Sequence, residues 1–141
     1  MSSVHLRPSF IALVIIGGAL GTAAREAVTL AVPPIGSLPV AIFAINVLGS
    51  FALGLLLEGL VRNGEDTGRR QPLRLFAGTG FLGGFTTYSA LATDTDLLFR
   101  AGDVGTGILY AVGSLFLGLV AAWAGIAIAA WRHRDSTAAG A

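Results

Sequence analysis

Residues 78–92 read GTGFLGGFTTYSALA, and whether this stretch lies inside a membrane decides the fold. It carries four glycines, Gly78, Gly80, Gly83 and Gly84, and a run of hydroxyl side chains ending in Thr86, Thr87, Tyr88 and Ser89. Its flanks are apolar from about Leu73 to Phe99, long enough to cross a bilayer: a helix rises ~1.5 Å per residue and needs about 20 residues to span ~30 Å of hydrocarbon. In hydrocarbon an unpaired backbone group costs several kcal/mol. Polar or irregular backbone is therefore tolerated only where it is buried in protein or lines a wet cavity.

The rest of the chain supports that depth. Of 141 residues, 54% are hydrophobic and 12% charged, and the mean hydropathy is +0.77, far from the soluble range. Three further apolar segments run from about Phe10 to Val32, Leu38 to Val61 and Val104 to Trp131. The expected fold is an all-α membrane protein of four transmembrane helices, the third broken near its middle. Its parts are a cytoplasmic segment 1–9, a membrane domain 10–131 and a disordered tail 132–141. The first segment also has features of a cleaved signal peptide, but its apolar run is long for one and Gly17 and Gly21 form a GxxxG pair suited to helix packing. There is no cysteine, so thiol catalysis and thiolate metal sites are excluded, and the two histidines, His5 and His133, lie at opposite ends of the chain. No enzyme activity and no nucleic-acid partner are expected.

Charge placement sets orientation. All nine basic residues are arginine; with four spans, seven of them (Arg7, Arg62, Arg69, Arg70, Arg74, Arg132 and Arg134) share one side, against Arg25 and Arg100 on the other. The positive-inside rule puts both termini in the cytoplasm.

Two readings of the glycine-rich stretch stand. Gly83 and Gly84 weaken a helix and allow backbone angles that free carbonyls for a cation or N–H groups for an anion, as in broken-helix transporters. Alternatively the glycines let helices approach closely. The threonine pair that follows favours a site. In the second span Asn46, Ser50, Gly54 and Glu58 form a stripe at four-residue steps, and the Asn46 amide either serves a pathway or bonds helices together. Arg25 is a vestibule charge or a snorkelling anchor paired with Glu26, its neighbour favouring the anchor. Asp94 and Asp96 are expected to meet interfacial water, and Ser114, Gly118 and Ala122 to pack a neighbouring helix.

Three blocks, GGALGTAAR at 17–25, INVLGSFALG at 45–54 and GFLGGFTTYS at 80–89, resemble the signature blocks of the CrcB family, the Fluc fluoride channels, in order and over nearly the whole chain. The resemblance implies an antiparallel dimer in the bacterial cytoplasmic membrane that passively releases toxic fluoride and holds a structural, non-transported Na+ at its centre. It implies that the carbonyls of Gly83 and Thr86 ligate that sodium, that Asn46, Tyr88 and Ser89 stand at the family's pore positions, and that Arg25 matches the arginine of the first block; the Thr87 hydroxyl is a further donor suited to line the ion path beside them. The chain departs from the family where TTYSALA replaces TTFSTFS: Leu91 stands at a pore phenylalanine, and Ala90 and Ala92 replace hydroxyl residues. Ala41, Ile42 and Phe43 also replace the usual GTL. These departures, with the arginine bias, point to pairing with a second homologous subunit rather than with itself. The alternatives are a small multidrug-type transporter, which would be expected to carry an isolated acid in the middle of the first span, and a non-conducting membrane subunit.

Overall fold

A computed structural model describes residues 7–62 and 66–138, the side chains of 134–138 excepted. Helix α1 spans Pro8–Ala31 and α2 spans Val40–Arg62. The third element comes in two pieces: α3, residues 70–85, and α4, Tyr88–Arg100. Helix α5 spans Val104–Ala138. All named elements among the described residues are helical. Helices α1, α2 and α5 are long and apolar enough to cross a membrane; the third element is not one continuous helix.

The ends follow from local chemistry. Pro8 opens α1, where its missing N–H costs nothing, and Pro33–Pro34 prevent its continuation. The reversal into α2 is closed by paired bonds between Ile35 and Leu38, both 3.1 Å, with Gly36 at φ +61°. Gly102, at φ +82°, turns α4 into α5, and the Ser37 hydroxyl donates to Asp103 Oδ2 at 3.1 Å, tying both turns together at one end of the bundle. The opposite end holds the Arg62–Glu58 and Arg74–Asp66 ion pairs. From the sequence the fourth span is expected to end at Trp131, with 132–141 as a disordered tail, whereas α5 continues as helix to Ala138. Residues 1–6 of the expected cytoplasmic segment lie outside the described residues.

Two helix pairs make the bundle, each with backbones in contact. A Cβ on Gly17 would collide with the Phe76 carbonyl, one on Gly21 with the Phe81 carbonyl, and one on Gly84 with the Gly18 carbonyl, so α1 and α3 are locked along their glycines. Helix α1 is thus an integral part of the packing, as a retained first span requires. Gly54 meets the Ala122 carbonyl and Gly125 the Phe51 carbonyl, bringing α2 onto α5. Without hydrophobic exclusion to drive helices together in lipid, such close contact supplies the dispersion that does. A small core of Ile42, Ile45, Leu91, Leu98 and Tyr110 joins α2, α4 and α5. Much of the remaining apolar surface faces outward, including Leu115, Phe116, Leu119 and Trp123 of α5.

Candidate functional site

The helix breaks at Thr86 and Thr87, whose extended angles (φ −77°, ψ 154° and φ −151°, ψ 119°) interrupt the ladder between α3 and α4. The break was expected; its cause was not. Gly83 keeps helical angles, φ −64° and ψ −34°, and neither it nor Gly84 has positive φ. The glycine pair is not the hinge: Gly84 is needed for the approach of α1, while a Cβ on Gly83 would find only the Gly78 carbonyl, at 3.9 Å. Upstream, residues 74–82 wind as a wide π-type helix, the Gly83 N–H reaching back five residues to the Gly78 carbonyl.

Side chains hold the break open. Asn46 Nδ2 donates to the Thr87 carbonyl at 3.0 Å, and the Thr87 N–H donates to Asn46 Oδ1 at 2.8 Å. One amide thus grips both backbone groups of Thr87 as a neighbouring strand would, which satisfies them where water is absent. The Ala90 N–H donates to Thr87 Oγ1 at 3.2 Å, capping α4. In a continuous helix the Thr87 N–H would bond the Gly83 carbonyl and the Ala90 N–H the Thr86 carbonyl. Both donors are diverted, so the carbonyls of Gly83 and Thr86 lose those helical partners. Thr86 Oγ1 donates to the Leu82 carbonyl at 3.0 Å, and Thr22 Oγ1 to the Gly84 carbonyl at 3.4 Å.

Beside the break lies an open cleft of about 410 Å³ between α2, α4 and α5, with Asn46, Ser50, Thr86, Thr87 and Tyr88 in its wall. Leu91, Ser114, Gly118 and Ala122 also line it, and no charged side chain does. Ser114 is 3% exposed and its hydroxyl has no hydrogen-bond partner, an arrangement costing ~1–3 kcal/mol unless something else fills it. Thr87 Oγ1 and Ser89 Oγ lie 3.1 Å apart. Because Thr87 Oγ1 already accepts from Ala90, its proton is available to Ser89 or to the cleft.

The expected site residues therefore divide. Asn46, Thr86, Thr87 and Tyr88 share the cleft, and Ser89 joins through Thr87. Tyr88 is 75% exposed, and Ser89 and Gly83 are also exposed, facing out of the subunit. Arg25 is half-buried on α1, outside the cleft wall, and among the described residues no ion pair joins it to Glu26. Leu91, 5% exposed, packs in the core with Ile42 and Ile45 while one side lines the cleft.

Two expectations need correction. Ser114 and Gly118 line the cleft, rather than serving only as a packing stripe, although Ala122 does pack on Gly54. A serine at mid-span, level with an asparagine on the neighbouring helix, was the available signal. Asp94, expected in interfacial water, instead accepts from the Tyr110 hydroxyl at 3.2 Å and is partly buried, whereas Asp96 pairs with Arg100 at the surface. For cation binding, no cluster of three or more His, Cys, Asp or Glu exists among the described residues; the oxygen donors at the break are backbone carbonyls and uncharged side chains.

Comparison with known proteins gives this geometry a family. The family described as CrcB-like protein, Camphor Resistance (CrcB), matches residues 12–126. A protein of Leifsonia xyli subsp. xyli named fluoride-specific ion channel FluC 2 is 55% identical over 127 residues, covering 90% of this chain and 88% of its own length. Fluoride-specific ion channel FluC 1 of Cutibacterium acnes is 43% identical over 86% of this chain and 85% of its own. A fluoride-specific ion channel FluC of Thermus thermophilus is 45% identical over 80% of this chain and 89% of its own. The matched region holds both helix pairs, the break and the cleft: the chain belongs to the CrcB family.

Proposed function

We propose that this chain is a subunit of a fluoride-specific ion channel that passively releases fluoride through a membrane, and that α3 and α4 together form a fourth span. The observation that carries this reading is a helix break pinned by Asn46 beside a cleft lined by hydroxyls and free of charged side chains. Fluoride is small and strongly hydrated, so a selective path must replace its water with closely spaced donors while binding weakly enough to release it. The second N–H of Asn46, the hydroxyls of Thr87, Ser89 and Ser114, and the ring edge or hydroxyl of Tyr88 are such donors. Passive conduction needs no bond-making chemistry, in keeping with an ion-channel family.

A structural sodium ion fits the donor set. The carbonyls of Gly83 and Thr86, relieved of their helical N–H partners, are hard oxygen ligands. They would hold the ion, which supplies when bound a positive charge offsetting the cost of bringing an anion into low dielectric. Gly83 is exposed, so the rest of such a coordination shell would come from another subunit.

The active unit is an antiparallel dimer. A hydroxyl-lined cleft left open to lipid is costly, and the outward-facing Tyr88 and Ser89 call for a covering surface. One arginine-rich end argues for a single insertion with both termini cytoplasmic, in a bacterial cytoplasmic membrane. Since an antiparallel homodimer needs one sequence to insert both ways, the partner is a second homologous subunit of opposite orientation. That partner would supply the ring and hydroxyls absent at Leu91, Ala90 and Ala92.

Purified chain in fluoride-loaded liposomes, followed with a fluoride electrode and chloride-loaded controls, tests the reading. Selective fluoride release, either alone or on co-reconstitution with a homologous subunit, supports a channel; proton-coupled export of a cationic dye would replace it with a multidrug-type transporter. Release by the chain alone, or reporter fusions at Ala141 divided evenly between the two sides of the membrane, would overturn the two-subunit arrangement.

A further inference from the structure

The hydroxyl-lined cleft ends against a dry layer on the side of the Gly102 corner. Each of the three helices that line it carries an apolar or aromatic side chain about one turn further in that direction. On α2, Ile42 lies four residues before Asn46; on α5, Tyr110 lies four before Ser114; on α4, Leu91 lies three after Tyr88. Such spacings keep a side chain on the same helix face and move it ~5 Å along the axis. Ile42, Leu91 and Tyr110 are all buried and belong to one cluster with Ile45 and Leu98.

Polar groups resume beyond the layer. The Tyr110 hydroxyl donates to Asp94 Oδ2 at 3.2 Å, and Asp94 stands three residues past Leu91 on the way to the corner. At the level of the layer itself an ion finds no donor: Ile42 and Leu91 have none, and the Tyr110 proton is engaged by Asp94. An anion stripped of water there meets the cost of low dielectric uncompensated, and apolar constrictions in channels gate by dewetting. The two aliphatic residues differ in freedom. Ile42 is β-branched, stiff in a helix and not part of the cleft wall, whereas Leu91 has one side on the open cleft and room to turn.

We propose that Ile42 and Leu91 form an apolar constriction that limits the rate of fluoride passage through this subunit. Fluoride held at Asn46 and Ser114 waits for Leu91 to swing from Ile42 into the cleft, while the Tyr110–Asp94 bond keeps α5 against α4. This rests on the channel reading above and names the residues that set its rate.

The test compares fluoride efflux from liposomes carrying the native chain, Ile42→Thr or Ile42→Val, each co-reconstituted with a homologous subunit whose release alone is subtracted. Threonine and valine have the same shape, so the pair separates the added hydroxyl from the lost methyl group. Ile42→Thr is expected to release fluoride about tenfold faster than Ile42→Val, as one hydrogen bond to an anion allows, with chloride still retained. If Ile42→Thr does not fold, Leu91→Thr, whose hydroxyl can meet the cleft, decides in the same way against Leu91→Val. Equal efflux from the threonine and valine variants would overturn the constriction while leaving the channel standing, and chloride escaping with fluoride would overturn it as a leak through a loosened bundle. No fluoride release from any of the chains would overturn the channel reading and the constriction with it.

Discussion

The two halves of the third element differ in what shapes them. From Arg74 to Phe85 the chain is ruled by its neighbour: Gly80 and Gly84 exist so that the backbone of α1 can touch it, and the helix widens without breaking. From Thr86 to Ser89 the chain is ruled by side chains, with Asn46 and Thr87 taking the N–H groups that a helix would have used. Glycine provides proximity and asparagine provides the break. A stretch that looks like one flexible motif is therefore two devices with separate physical causes, and substitutions should separate them.

The largest effect is expected at Asn46. Asn46→Ala strips both partners from the Thr87 backbone inside the bundle, each orphaned group costing about 1–3 kcal/mol. Denaturant titration in detergent should show a clear loss of stability, and a small change would mean that the glycines hold the break after all. Next comes the contrast between adjacent glycines. Gly84→Ala forces a methyl into the Gly18 carbonyl and should destabilise the subunit by ~1–3 kcal/mol. Gly83→Ala finds space and gains up to ~1 kcal/mol of helix propensity. Thermal unfolding of the two variants side by side reads the difference, and the comparison fails if their order reverses. If Gly83→Ala folds normally yet loses fluoride efflux, the role of Gly83 lies on its outward face.

Ser114→Ala sharpens the other side of the comparison. Removing a buried hydroxyl that bonds nothing within the subunit should leave stability unchanged or raised, while fluoride efflux falls about tenfold for the loss of one hydrogen bond to an anion. Reduced stability with normal efflux would return Ser114 to packing. The smallest effect is at the corner between α4 and α5. Hydrogen bonds from the Thr106 side chain and then from Ser37 hold the Asp103 carboxyl below its ordinary pKa. This contribution is present above the ordinary carboxylate range and is lost as pH falls through the lowered value. Ser37→Ala should raise the Asp103 pKa, as followed by carboxyl NMR, with little change in unfolding at neutral pH.

Much of this was legible in the sequence. Apolar runs near 20 residues and the GxxxG pair of α1 report local geometry that neighbouring residues dictate. The position of the break was legible too, because hydroxyls at mid-span need a polar reason. Its cause was not, since the decisive partner of Thr87 is Asn46, forty-one residues earlier, and a glycine pair close by offers a plausible local explanation. Ser114 was hidden for a related reason: a lone serine among small residues reads as packing until its hydroxyl is seen without a partner. Leu91 reads as a lost pore ring, and only the fold reveals that the same side chain also fills the core beside Ile42 and Ile45.

The most direct test is fluoride efflux from liposomes carrying either the native chain or Asn46→Ala, each co-reconstituted with a homologous subunit and compared with chloride-loaded vesicles. Rapid, fluoride-selective release is predicted from the native chain, with a loss of that release in Asn46→Ala beyond any fall in the amount of folded protein. Equal efflux from the two chains would contradict a path built on Asn46, as would a native chain that releases fluoride and chloride alike.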